Sequence, residues 1–180
     1  MKRLLVLAGG SERNRAWGEG CVESYGAWFD STFFLHYNHW ATGEKNLDFP
    51  AELQKIKETI AGAGLEGEWY IMAKSIGTVL AIKACAEGVV TPTACVFFGM
   101  PLNLVADSVF NGDFAPVTFL TMPTLAYHND QDPTANYEFT TTTLAKYAPT
   151  VKVQTLSGDN HDYLDFLTYA PEIKDFINVG

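Results

Sequence analysis

No stretch of this sequence approaches the ~20 consecutive apolar residues that a bilayer-spanning helix requires. The apolar runs break off at strand length. Cysteine is scarce. Cys21, Cys85 and Cys95 are odd in number and none stands in a C-x-x-C pair, which argues against a zinc ribbon or a disulfide framework and leaves small buried thiols in a reducing compartment. Basic charge is scarce as well. Twelve Lys and Arg against 21 Asp and Glu leave a formal net charge of −9 on 180 residues. Such a surface repels phosphate backbones and anionic lipid, so neither nucleic acid nor a membrane is an expected partner. The P-loop pattern G-x-x-x-x-G-K-[ST] is missing despite the pair Lys74-Ser75. The N-terminal "MKRLLVLAGGSERNR" starts like a signal peptide, but its apolar part is short, meets Glu12, Arg13 and Arg15, and has no A-x-A site. It is read as a first strand, and a cytoplasmic location is expected.

What is present is an alternation. Six short apolar runs, at 3–8, 32–37, 68–73, 93–99, 123–128 and 151–156, are mostly continuous rather than alternating, as in strands buried on both faces. Helical spacing fills the gaps, at 12–30, 50–64, 75–88, 134–148 and 162–177, with Pro171 expected to break or bend the last. The order predicts one α/β domain over 1–180, a three-layer sandwich around a mostly parallel central sheet. The segment 100–122 carries Pro101, Gly112 and Pro116 and no clear element, and is expected to form a small lid or substrate loop.

Ligands of such sheets bind beyond the carboxyl ends of the strands. The loops there read Gly9-Gly10-Ser11, Lys74-Ser75-Ile76-Gly77, Gly99-Met100-Pro101, His128-Asn129-Asp130-Gln131-Asp132 and Ser157-Gly158-Asp159-Asn160-His161. A serine at a sharp strand-to-helix joint presents its hydroxyl above the sheet, beside the unpaired N–H groups of a helix start. Ser75 also suits a plain helix cap. A nucleophilic serine needs a base, and the base needs an orienting carboxylate. Of the four histidines, His36 and His39 are three apart near a strand end and would face opposite ways in a strand, so they make no metal pair.

Ala73-Lys74-Ser75-Ile76-Gly77 resembles the nucleophile elbow G-x-S-x-G of the α/β-hydrolase family, with Ala73 replacing the first glycine. Gly158-Asp159-Asn160-His161 is similar to the family's G-x-x-H in the last strand-to-helix loop. His128 to Asp132 is similar to H-G-x-x-D, with asparagine at the glycine position. The resemblance implies a triad Ser75, Asp132, His161 in the family's chain order, with Asp130 the alternative acid. It implies an oxyanion hole from the N–H groups of Ile76 and, by register, Gly10, with Ser11 the alternative to Gly10. It covers nearly the whole chain, and "FFGMPL" (97–102) is similar to small, lidless relatives of the dienelactone-hydrolase type. The implied activity is that of a serine, carboxylesterase-like hydrolase. It would cleave an ester or thioester of a small acyl substrate through an acyl-enzyme on Ser75, with no cofactor and no metal. Ser11, Met100, Phe110 and Phe114 are the expected substrate contacts. The alternative is a catalytically degenerate binding or interaction protein on the same fold.

Overall fold

The computed structural model describes residues 1–44, 46–64 and 66–178. Six strands, β1 (Lys2–Leu7), β2 (Ser31–Phe34), β3 (Glu68–Lys74), β4 (Ala94–Phe98), β5 (Thr124–Asn129) and β6 (Lys152–Leu156), form one sheet in the order β2-β1-β3-β4-β5-β6. Every pairing is parallel. Burial follows the sheet order. The inner strands β3, β4 and β5 are buried almost throughout, whereas the edge strands β2 and β6 have no buried residue. This is why the inner runs are continuously apolar and "KVQTL" alternates.

The helices are α1 (Arg15–Tyr25), α2 (Asn38–Thr42), α3 (Phe49–Ala63), α4 (Ile76–Ala86), α5 (Leu102–Val105), α6 (Tyr137–Tyr147) and α7 (Phe166–Asn178). The chain leaves β1 toward one edge, returns past it to β3, and then proceeds steadily to β6. Right-handed crossovers therefore put α1 on one face and α3, α4 and α6 on the other, and α7 returns beside α1. Trp17 of α1 is buried against Phe98 and Phe166, and each large side chain buried in this way contributes about 2–3 kcal/mol. The reversal lies between β1 and β3, so the crevice at the sheet's carboxyl edge opens between the loop after β1 and the start of α4.

Three expectations change. The last helix runs through Pro171, so the break admitted there does not occur. Its apolar face stays on the sheet, with Tyr169, Ile173 and Ile177 buried. The strand expected at 32–37 ends at Phe34, and His39 belongs to the short helix α2, a length that periodicity does not register. The segment 100–122 is not one loop, for it contains α5 and a 3-10 turn at Ala115–Phe119. The glycines 62, 64 and 67 have the spacing of a dinucleotide fingerprint, but they lead from α3 into β3. That order is the reverse of the strand-to-helix turn which would offer N–H groups to a pyrophosphate.

Candidate active site

Ser75 sits between β3 and α4 at φ 53°, ψ −129°, a region that non-glycine residues seldom occupy and that marks stored strain. The turn is tight because α4 starts against the loop after β1. A Cβ on Gly77 would lie 2.2 Å from the Leu7 carbonyl oxygen and 2.5 Å from that of Ala8, so only glycine fits. Ser75 donates its N–H to the carbonyl of Phe98 (2.9 Å) and does not use its side chain as a helix cap. The cap reading of this serine thus has no hydrogen bond behind it. The helix start leaves first-turn N–H groups, that of Ile76 first, without intrahelical acceptors.

The next residue across the sheet edge is Gly99, at φ 55°. A Cβ there would stand 2.6 Å from Tyr163 Cε2 and 2.8 Å from His161 Cε1. The imidazole of His161 therefore lies directly on the Gly99 backbone, one residue beyond the carbonyl that holds Ser75. His161 Nδ1 donates to Asp132 Oδ2 at 2.7 Å, while its Nε2 is buried and makes no hydrogen bond among the described residues. Asp132 accepts three more hydrogen bonds. The Thr134 and Ala135 N–H groups reach Oδ1 (2.8 Å each), and the Tyr163 hydroxyl reaches Oδ2 (2.7 Å). Burial alone would raise the Asp132 pKa. The hydrogen bonds from His161, Ala135, Tyr163 and Thr134 outweigh it and hold the carboxyl at about 2. It is the carboxylate, with Nδ1–H of the ring bonded to it, that leaves Nε2 as the free base position.

Asp130, the other aspartate of that loop, is exposed and accepts the N–H of Gly158 at 3.1 Å. It ties the acid loop to the histidine loop. Asn129 does the same from inside, donating Nδ2–H to the Asn160 carbonyl (2.7 Å), and a Cβ on Gly158 would meet Asn129 Oδ1 at 2.6 Å. The asparagine at the family's glycine position and the glycine of G-x-x-H thus fit each other. Tyr163 accepts the Asn129 N–H (3.0 Å), and Trp17 donates to the Tyr163 carbonyl (3.1 Å). Tyr163, Gly99 and Asn129 support the site through residues distant in the chain; the sequence placed Gly99 and Asn129 at the sheet edge but gave no sign of these contacts, and Tyr163 carried no signal.

Lys74 is 3% exposed and donates to Asn14 Oδ1. Burial lowers its pKa to about 8 against the opposing pull of Asp162 and Asp132.

A cavity of about 810 Å³ opens beside Gly10, Ser11 and Ile76, walled by Trp40, Leu47, Phe49, Val105 and Val109. Of the expected substrate contacts, Ser11 lines it and Met100, Phe110 and Phe114 do not. Met100 is fully buried, its carbonyl taken by Thr140 Oγ1, and Phe110 and Phe114 are buried against each other, with Phe114 also packed on Phe139 and Tyr147. The segment 100–122 buries Phe110 and Phe114 and offers Val105, Ser108 and Val109 to the cavity instead.

The architecture matches known structures closely. An alpha-beta serine hydrolase homologue from Coxiella burnetii superposes with a TM-score of 0.74 at 12% identity, over 100% of this chain and 85% of its own. Est1E from Butyrivibrio proteoclasticus, solved with ferulic acid, gives 0.74 at 16% identity, over 99% and 90%. A predicted CIB-like hydrolase from Thermoplasma acidophilum gives 0.73 at 12%, over 98% and 86%. No protein-family model and no curated protein matches the chain by sequence. The chain has the α/β-hydrolase fold, a three-layer sandwich on a parallel sheet.

Proposed function

We propose that this protein is a serine hydrolase that cleaves a carboxylic ester or thioester through an acyl-enzyme on Ser75. The observation that carries the reading is the His161 ring. One nitrogen is bound to an ionised, four-times hydrogen-bonded Asp132. The other is buried without a partner among the described residues, and the ring rests on the residue next to the one that holds Ser75.

The roles follow from the chemistry. Ser75 Oγ attacks the acyl carbon as its proton passes to His161 Nε2. The carbonyl π pair moves to oxygen, and the resulting oxyanion takes hydrogen bonds from the N–H groups of Ile76 and Gly10. Asp132 keeps Nδ1–H in place and stabilises the imidazolium. The imidazolium returns its proton to the departing alcohol or thiol as the carbon–oxygen or carbon–sulfur bond breaks. Water then repeats the sequence on the acyl-enzyme and frees the acid. The cavity beside Gly10 and Ile76 has a mixed lining, with Trp40, Leu47, Phe49, Val105 and Val109 as its apolar part and Glu12, His39, Glu44 and Asn46 as its polar part. The apolar part suits the acyl or leaving group of a small substrate. The part of 100–122 that reaches it acts as a substrate loop.

The test is labelling with a fluorophosphonate, wild type beside Ser75→Ala, read by intact mass. One adduct on the wild type and none on the variant supports an activated serine at this joint. A folded wild type that stays unlabelled would transfer the case to a binding protein on the same fold. Among the described residues no helix is long and apolar enough to cross a membrane.

A further inference from the structure

The loop after β1 contains two consecutive glycines, Gly9 and Gly10, followed by Ser11. Without Cβ atoms, such peptides rotate at little steric cost. A free rotation here has a chemical consequence. The Gly10 carbonyl and the Ser11 N–H belong to one trans peptide and point in opposite directions. A half-turn of that peptide would bring a carbonyl oxygen, with its partial negative charge, toward the place where N–H groups are needed.

The loop is held by side chains that precede or belong to α2. Gly10 O accepts two hydrogen bonds, from His39 Nε2–H at 2.5 Å and from Trp40 Nε1–H at 2.8 Å. Two residues earlier, Ala8 O accepts the Tyr37 hydroxyl at 2.7 Å. All three donors are buried, at 8%, 7% and 1% exposure. The acceptor is a carbonyl, so His39 must carry its proton on Nε2, and its buried Nδ1 has no partner among the described residues. α2 is only five residues long and is itself pinned. The fully buried Glu52 of α3 accepts the N–H of Asn38 at the helix start (2.7 Å), and Lys55 Nζ donates to Asn38 Oδ1 (2.9 Å). Neither the Gly10 nor the Ser11 N–H donates to a backbone acceptor among the described residues. Gly10 also touches the residue after the candidate nucleophile, since a Cβ on it would lie 3.1 Å from Ile76 Cγ2.

We infer that His39 and Trp40 are positioning residues for the oxyanion loop: by fixing the Gly10 carbonyl on the α2 side, they orient the Ser11 N–H of the same peptide toward the site and anchor the residue whose own N–H is the other candidate donor. The inference rests on the serine-hydrolase reading for its kinetic consequence, but not for its geometry. The pair supplies the rigidity that two glycines remove; both side chains also line the cavity, so the effect through the loop is the one read in kcat and in ketone binding rather than in KM. The donors are assigned by chemistry: an imidazole N–H and an indole N–H replace the hydrogen bonds that a strand neighbour would give.

The test uses Trp40→Phe, His39→Phe, the double variant, and His39→Gln, whose amide can still donate. Substrate turnover is read with 4-nitrophenyl acetate, and oxyanion binding with an aryl trifluoromethyl ketone, which forms a serine hemiketal. Loss of a single oxyanion donor costs on the order of 10²–10³ in rate, so loosening one should cost about tenfold per single variant and about 100-fold in the double, with KM within about twofold. The ketone should weaken by the same factors, and His39→Gln should recover most of the loss seen in His39→Phe. A double variant with wild-type kcat, or a loss confined to KM, would overturn the inference. If the wild type itself neither reacts with fluorophosphonate nor turns over ester, the serine-hydrolase reading fails. Crystal structures of wild type and Trp40→Phe then decide the geometry alone. A turned or dispersed Gly10–Ser11 peptide supports the clamp, and an unmoved one refutes it.

Discussion

Replacing Asp132 by asparagine separates two things that its carboxylate does. Thr134 and Ala135 N–H groups both point at Oδ1, so the asparagine oxygen must stay on that side. Its NH2 then faces His161 Nδ1 and the Tyr163 hydroxyl, where the carboxylate accepted from both. Nδ1 becomes an acceptor, the ring proton moves to Nε2, and the free base position on the ring is lost. A wrong tautomer of this kind costs about 10⁴ in kcat. The stability effect has its own signature. Asp132 is held at about 2 against an ordinary value of 3.8. A depressed carboxylate stabilises the fold above its unfolded pKa, and the contribution disappears as pH falls through the folded one. A shift of nearly two pH units corresponds to about 2 kcal/mol. Asp132→Asn should therefore be less stable than wild type by roughly that amount at pH 7, and the gap should close between pH 4 and pH 2. Urea unfolding at pH 7, 4 and 2.5, beside turnover of 4-nitrophenyl acetate at pH 7, measures both. A gap independent of pH, or a variant with more than a tenth of wild-type kcat, would refute the account of this carboxylate.

Gly99→Ala places a methyl within 2.6–2.8 Å of Tyr163 and His161 at a positive φ. It should push the imidazole off its seat and lower kcat by about 10², visible in steady-state kinetics and in a ring displacement in the crystal. Lys74→Met removes a buried ammonium whose pKa falls from 10.5 to about 8 on folding. A lysine with a depressed pKa destabilises the fold while it is protonated, and the penalty fades as pH rises from the folded toward the unfolded value. The methionine variant should therefore be more stable by about 2–3 kcal/mol at pH 7, with the gain shrinking toward pH 10.5. A variant less stable than wild type in urea at pH 7 would contradict that reading.

Much of the fold was legible because strand and helix differ in local pattern. Runs such as "RLLVL" and "ACVFF" carry burial on both faces in their composition, and their alternation with helical spacing implies a parallel sheet. The six strand positions come out within a few residues of the observed bounds. The placement of Ser75 and His161 at one edge of the sheet was legible for a related reason: topology forces strand-to-helix loops onto that edge, so a residue's place after a strand is already a place in space. α2 escaped notice because five residues are too few to show a period. Pro171 misled because its local cost is outweighed by the apolar face that the rest of the helix buries.

The determinations that belong to the sequence are those set by neighbours along the chain. They are the alternation of elements, the small residues around the joint at Ser75, and the order of serine, acid and histidine. Tertiary structure alone decided which aspartate meets His161, because Asp130 and Asp132 differ in the direction they face and not in type. It alone made Gly99 a seat for the imidazole, turned Phe110 and Phe114 into the core, and brought His39 and Trp40 onto the carbonyl of Gly10. Each of those contacts joins segments about 30 to more than 60 residues apart. Their energies depend on packing and on which polar groups lose water together, and no local pattern in the chain encodes either.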